Sequence, residues 1–235
     1  MPKSIALFGA GPGLGQAVAR RYAREGYTVV LIARRRQPLE VIAQDLVDGG
    51  AVTHPIVADL ANTDAVPALA EQIRSKVGEL DALYYAPTPS GAFVPAAELT
   101  PQFAQTFMPV AFYSLLALVQ QFLPRMLERG DGAILSAQGA SAVRGLPHLS
   151  GPGPAQAAQR NYLQSLHTET ADRGIYVGLL CIGAIIENSA FHAYIGTARS
   201  GGDSRDWGPT VSPAHLADLL WNMHRARSTA EEMYP

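Results

Sequence analysis

Short, uninterrupted apolar runs alternate along this chain with longer stretches in which apolar positions recur every three or four residues. Residues 5–8 have the pattern of a buried strand. Glycines follow, and then a helical pattern places Leu14, Val18 and Tyr22 on one face and stops at Gly26. Residues 28–33, rich in β-branched side chains, predict a second strand, and 39–46 a helix ended by Gly49-Gly50. A third short strand is expected at 55–58, a helix at 64–77 and a fourth strand at 81–85. Residues 101–129 read as one long helical region. There Phe112, Leu115, Leu116, Leu118, Val119, Phe122 and Leu123 lie nearly all round the axis, the mark of a core helix or a subunit interface. Strands at 133–137 and 175–181, a helix between them at 155–173, and a last helix at 213–227 complete the pattern.

Strands that are apolar on both faces and alternate with helices predict a parallel sheet covered on each side. The fold class is therefore α/β, a Rossmann-like doubly wound sheet, with residues 1–235 as a single domain. No internal repeat or composition break marks a second one. Residues 196–208, rich in Gly, Ser and Asp, read as a mobile lid over a site or as a tolerant surface loop, and their position favours the lid.

Composition narrows the function classes. The chain has 235 residues and a formal net charge of -2, with Arg34-Arg35-Arg36 as the one contiguous basic run. Nucleic acid and anionic membranes are not expected partners on that basis. The single cysteine, Cys181, forbids an internal disulfide and suits a reducing compartment. The apolar run near the start is too short for a signal peptide, and no 18 residues are uninterruptedly apolar, so a soluble cytoplasmic protein with no membrane span is expected. The six histidines show no metal-ligand spacing, and no G-x-S-x-G elbow is present.

The first strand-to-helix turn carries Gly9-Ala10-Gly11-Pro12-Gly13-Leu14-Gly15. The common dinucleotide spacing G-x-G-x-x-G fails, because Leu14 stands at its last glycine. Glycines at Gly9, Gly13 and Gly15 fit a different spacing. Such a loop lets backbone approach a pyrophosphate and aims helix N–H groups at it. At the end of the second strand stands Arg34, where an acid would accept the ribose hydroxyl of NAD; an Arg there suits the extra phosphate of NADP. Arg35 adds charge or stacks on adenine. The expected cofactor is thus NADP(H) ahead of NAD(H).

With these features in place, the chain resembles the short-chain dehydrogenase/reductase family over about residues 3–220. The resemblance is carried by Gly9, Gly13 and Gly15; Ala33-Arg34-Arg35; Asp59-Leu60; Leu123-Pro124-Arg125-Met126; Gly132-Ala133-Ile134; Ser165-Leu166 with Glu169; and Gly174-Ile175-Tyr176-Val177 before Gly183. It implies a cofactor site made of Gly9, Gly11, Pro12, Gly13, Leu14, Gly15, Arg34, Arg35, Asp59, Leu60 and Ala86, with Asp59-Leu60 closing on adenine. It also implies pairing across a two-fold axis by the helices at 112–129 and 155–173, hence a homodimer or homotetramer. The family's usual final strand has little room before Pro235, which leaves that sheet edge open or differently covered.

The family works through an Asn, a Ser, a Tyr and a Lys. Counting from the matched anchors, those positions fall on Ala111, Gly139, Pro152 and Gln156, so the resemblance describes a divergent branch and assigns no catalytic residue. The Asn-Asn-Ala-Gly after the fourth strand reads Tyr85-Ala86-Pro87-Thr88. Losing a positioned general acid removes about 10² to 10⁴ in rate, roughly 3 to 5.5 kcal/mol of barrier. Ser141, His148 and Ser150 lie near the altered positions, as do Tyr84 and Tyr85 at the end of the fourth strand. His148 fits an exposed loop, and Arg160 and Tyr162 fit packing or partner contact. Two functions follow: an NADP(H)-dependent oxidoreductase with a non-standard active site, or a catalytically inactive dinucleotide-binding sensor or partner protein. The pocket walls, at 88–97, 142–154 and 185–206, are neutral and rather apolar, which points to a small apolar molecule as ligand.

Overall fold

The computed structural model describes residues 2–88, 93–147, 150–202, 204 and 206–235. Strands β1 (Ser4–Phe8), β2 (Thr28–Ala33), β3 (Thr53–Val57), β4 (Ala82–Tyr85), β5 (Gly132–Gly139), β6 (Ile175–Ile182) and β9 (Glu231–Tyr234) form one sheet in the order β3-β2-β1-β4-β5-β6-β9. Every pairing in it is parallel. The helices are α1 (Leu14–Arg24), α2 (Arg36–Asp48), α3 (Val66–Val77), α4 (Pro101–Met108), α5 (Ser114–Arg129), α6 (Pro152–Thr170), α7 (Ala190–Ser200) and α8 (Pro213–Ala226). A small parallel pair, β7 (Ile185–Ile186) and β8 (Thr210–Val211), lies outside the main sheet.

The two-residue period of the strands divides the core into two layers. Ile5, Leu7, Val29 and Leu31 point to one face, where they meet Val18 of α1 and Leu216 and Leu220 of α8. Ala6, Phe8, Val30 and Ile32 point to the other, against Ile73 of α3 and Leu118 and Phe122 of α5. Chain order reverses between β1 and β4, so the crevice beyond the C-terminal ends of these strands is the place where an open α/β sheet takes a ligand. The expected doubly wound sheet in one domain is the observed one.

Four local expectations change. The region 101–129 is helical throughout but not uniform: Pro109–Tyr113 forms a π-helical turn between α4 and α5. Pro109 has no N–H to continue the ladder, and a wider turn accommodates it. By length and composition this 29-residue segment contains a stretch apolar enough to cross a bilayer, although charges and polar residues interrupt the segment. Here Leu115, Leu118, Val119, Phe122 and Met126 of α5 are buried in the fold.

The segment 196–208, expected as a lid or a surface loop, is not loop throughout. Its first five residues are the last turns of α7, which is capped by the Ser189 hydroxyl accepting from the His192 N–H at 3.0 Å and anchored by buried Ile195. Composition alone hid this, because Gly196 and Ser200 sit on the outer side of a helix held from its other face.

The sheet edge beyond β6 is not open. β9 pairs with β6 from Leu179↔Glu231 to Ile182↔Tyr234. Four residues suffice, because Arg160 of α6 grips Glu231 with contacts of 2.8, 3.0 and 3.1 Å and Gln164 adds a fourth at 2.8 Å.

Finally, β5 runs two residues past its expected end, to Gly139, paired residue by residue with β6. That extension carries the chain to the rim of the crevice.

Candidate cofactor crevice and active-site corner

The glycine loop leaves the end of β1 and is pinned there by backbone. The N–H groups of Gly9 and Ala10 both donate to the Ile32 carbonyl, each at 3.0 Å, so the turn is tied to the neighbouring strand. Gly9 has φ +99°, and a Cβ there would lie 2.7 Å from the Ala86 carbonyl oxygen. A Cβ on Gly15 would overlap the carbonyl oxygen of Gly9 itself. Gly13, at φ +85°, would bring a Cβ to 3.3 Å from the Glu187 carbonyl oxygen and the Ser189 backbone. Gly11, by contrast, faces open space. Packing therefore demands glycine at 9, 13 and 15, the spacing read from the sequence.

Helix α1 starts at Leu14 with no side-chain cap, and the N–H groups of Leu14 and Gly15 find no backbone acceptor among the described residues. These amides, at the positive end of the helix dipole, are suited to an anion. Pro12 is exposed at the tip of the loop, and Leu14 is buried beneath it.

Around this loop stand the other residues expected at the site. Arg34 and Arg35 are exposed just past β2, and neither forms an ion pair among the described residues, whereas Arg36 pairs with Glu40 at 3.3 Å. Asp59 is exposed after β3 and turns the chain by accepting from the Ala61 N–H at 3.0 Å. Leu60 is buried, and its carbonyl accepts from the Ser114 hydroxyl at the start of α5. Ala86 extends β4, its N–H donating to the Phe8 carbonyl at 2.9 Å. The end of β1, the end of β2, the turn after β3 and the end of β4 thus converge on one crevice.

The four positions counted from the family pattern also come together. Ala111, in the π-helical turn, is buried against Phe107 and Ala155 of α6. Pro152 opens α6, and Gln156 follows one turn later. Gly139 ends β5, and a Cβ built on it would lie 3.4 Å from the Ser141 hydroxyl and 3.6 Å from the Gln156 side-chain oxygen.

Of the alternative donors, Tyr84 and Tyr85 do not reach the crevice. Both are fully buried, on opposite faces of the sheet. The Tyr85 hydroxyl donates to the Val110 carbonyl, and burial pushes both phenols far above their ordinary range. A strand buried on both faces places every side chain in core, and its chemistry cannot be read from the strand end alone. Arg160 is committed to Glu231. Tyr162 is half-buried, 5.9 Å from the Phe112 ring, and burial raises its pKa. Ser150 bridges to Val94 by backbone bonds of 2.8 and 3.0 Å, joining two of the expected pocket walls. His148 lies outside the described residues.

An aromatic cluster with no local sequence signature stands beside these walls. Phe93, Phe191, Tyr194 and Trp207 come from three separate segments, with centroid distances of 5.5 Å for Phe93–Phe191 and 5.8 Å for Phe191–Trp207. The sequence signal was limited to the membership of most of these residues in the expected walls. Next to the Val94–Ser150 bridge, Ser141 and Ser150 line a cavity of about 260 Å³ with Val143, Leu146, Pro154 and Ala157.

The comparisons agree with this architecture. The short chain dehydrogenase family profile matches residues 3–193. A dehydrogenase/reductase SDR family protein 7-like of Anopheles gambiae is 29% identical over 207 residues, covering 85% of this chain and 64% of that protein. A fatty acyl-CoA reductase of Mycobacterium tuberculosis is 28% identical over 179 residues, covering 74% of this chain and 60% of that protein. The chain thus matches somewhat under two-thirds of the length of these relatives. Among solved structures, the L-sorbose reductase of Gluconobacter frateurii complexed with NADPH and L-sorbose superposes with a TM-score of 0.87 at 24% identity, covering 99% of this chain and 94% of that one. The fold, the ordered glycine loop and the span of the profile match together place this chain in the short-chain dehydrogenase family.

Proposed function

We propose that this chain is an NADP(H)-dependent oxidoreductase that acts on a small, neutral and largely apolar molecule through a non-standard active site. The observation that carries the reading is the glycine loop. Three positions there exclude a side chain, two helix-start amides are free among the described residues, and two unpaired guanidinium groups stand after the next strand. These features fit a phosphorylated dinucleotide: close backbone for the pyrophosphate, and charge for a further phosphate.

In this reading Gly9, Gly11, Pro12, Gly13, Leu14 and Gly15 cradle the pyrophosphate, Arg34 and Arg35 meet the 2′-phosphate, and Asp59, Leu60 and Ala86 border the adenosine half. The bound cofactor supplies hydride chemistry. Two structures of similar fold hold this class of cofactor, which supports the reading: NADPH in the sorbose reductase and NADP in a 3-oxoacyl (acyl-carrier-protein) reductase of Agrobacterium tumefaciens.

One observation favours a second reading, a dinucleotide-binding sensor without turnover. Ala111, Gly139, Pro152 and Gln156 bring no titratable group to the corner where α6 meets β5.

The deciding experiment is a fluorescence titration with NADPH, followed by incubation of the complex with deuterium-labelled NADPH and a library of carbonyl compounds. Label transfer supports the oxidoreductase. Tight binding without transfer supports the sensor, and no binding of NADPH overturns both. The half-exposed face of α5, with Leu116 and Leu123, further supports a homodimer or homotetramer, which sedimentation at micromolar concentration checks.

A further inference from the structure

We propose that Glu187 tunes the bound cofactor: its carboxylate holds the oxidised, positively charged nicotinamide more tightly than the neutral reduced ring. Bound NADPH thereby becomes a stronger hydride donor. This rests on the NADP(H) reading above and names the residue that tells the cofactor's two forms apart.

A backbone contact fixes where Glu187 stands. Beyond β6 the chain forms β7 and then turns sharply over residues 187–189. The Glu187 N–H donates to the Val211 carbonyl at 3.0 Å, and the Ser189 N–H to the Ile186 carbonyl at 3.2 Å. Between them Asn188 takes a left-handed conformation, φ 60°, and its N–H donates to His192 Nδ1 at 3.2 Å. The other side of this turn meets the glycine loop. A Cβ on Gly13 would lie 3.3 Å from the Glu187 carbonyl oxygen and from the Ser189 backbone. Glu187 is thus held at the start of α1, beside the amides suited to the pyrophosphate.

The charge it brings there is unmet. Glu187 is half-buried, and its carboxylate forms no ion pair or hydrogen bond among the described residues. The first turn of α1 holds no acid of its own. A half-buried carboxylate without a partner costs stability, and a phosphate beside it adds repulsion. Among the described residues no group of His, Cys, Asp and Glu could hold a metal ion that would offset it. The remaining source of positive charge is the ligand itself.

The signs are laid out in order across the crevice. Arg34 and Arg35 stand just past β2, whereas Glu187 follows β7, which continues from β6; β2 and β6 lie on opposite sides of β1 in the sheet. With the pyrophosphate at the loop and the adenosine half on the arginine side, the nicotinamide half extends toward Glu187. The carboxylate repels the pyrophosphate alike in both forms of the cofactor, so its differential effect falls on the ring. An equilibrium shifts by the difference in affinity for its two states. Tighter holding of the oxidised form therefore lowers the potential of the bound couple.

The test is a pair of titrations, NADP⁺ by calorimetry and NADPH by fluorescence, on wild type and Glu187→Gln. The variant is expected to raise the affinity for NADPH relative to NADP⁺ about tenfold, the order of one charge pair at a partly screened site. That ratio raises the potential of the bound couple by about 30 mV. A merely structural role would change both affinities alike and leave the ratio in place. Glu187→Asp keeps the charge and is expected to keep most of the wild-type ratio. Should Glu187→Gln not fold, Glu187→Thr removes the charge with a smaller side chain and carries the same comparison. An unchanged or reversed ratio in a folded neutral variant overturns the proposal and leaves the cofactor reading standing. If neither form binds the wild type, the cofactor reading falls, and the proposal with it.

Discussion

Gly15 packs on Gly9 so closely that a Cβ atom at position 15 would overlap the Gly9 carbonyl oxygen. This contact seats the first turn of α1 on the end of β1, and it fixes where the helix amides point. Because the obstacle is backbone, it cannot swing aside as a side chain would.

Gly15→Ala is therefore expected to destabilise the fold by about 1–3 kcal/mol and to abolish NADPH binding. Gly11→Ala meets no protein atom within 4 Å and is expected to leave stability nearly unchanged while weakening NADPH, because the open space it faces is the one assigned to the pyrophosphate. Thermal unfolding and a fluorescence titration on both variants check the contrast.

Arg34 and Arg35 are exposed and unpaired among the described residues, while Arg36 is paired with Glu40. Arg34→Ala is expected to weaken NADPH by about 10- to 100-fold, the worth of a hydrogen bond to a charged group, and to leave NADH almost unchanged. Arg36→Ala is expected to alter neither. Parallel titrations with both cofactors decide it, and equal losses for NADPH and NADH would contradict a phosphate-reading role.

Arg160 and Glu231 are 71 residues apart in sequence and join α6 to the edge strand β9, with side chains only 28% and 23% exposed. Arg160→Ala leaves Glu231 with Gln164 as its one remaining side-chain partner among the described residues. A loss of about 1–3 kcal/mol is expected, since a partly buried carboxylate loses its charged partner. Urea unfolding measures it, and faster amide exchange at residues 231–234 should accompany it.

His224 is buried, bonds the Tyr22 hydroxyl through Nδ1 at 2.8 Å, and stacks on Tyr176. Burial pulls its pKa down from 6.5 to about 4. Between those values the unfolded chain binds a proton that the folded one refuses, so stability rises with pH across that window and falls as pH drops through it. The contribution is full above about pH 6.5, fades toward pH 4, and amounts to about 3 kcal/mol at most. The wild type should therefore lose stability between pH 6.5 and 4 more steeply than His224→Gln, as read by urea midpoints over that range. Parallel profiles for the two proteins would refute it.

The glycine spacing and the alternation of strand and helix were legible in the chain because both are local. A positive φ, a helix start or a strand apolar on both faces leaves its mark within a few residues. The sheet, its direction and the crevice at its switch point follow from that alternation. The final strand was not legible, because Glu231-Glu232-Met233-Tyr234 has two acids and little strand character. Its place depends on Arg160 and on backbone pairing with β6, contacts made across scores of residues.

The active-site corner was legible only as a set of positions. Counting reached Gly139 and Gln156, yet the space between Gly139 and Gly153, and the hydroxyl of Ser141 within it, exist only once β5 and α6 are docked. Likewise Tyr84 and Tyr85 sit at a strand end in sequence, but burial on both faces of the sheet turns them into core. Sequence by itself determined the fold class and the glycine turn, since backbone conformation and hydrophobic period are local properties. Tertiary structure decided which side chains face the crevice, because that depends on which elements pack together and on how closely they can approach.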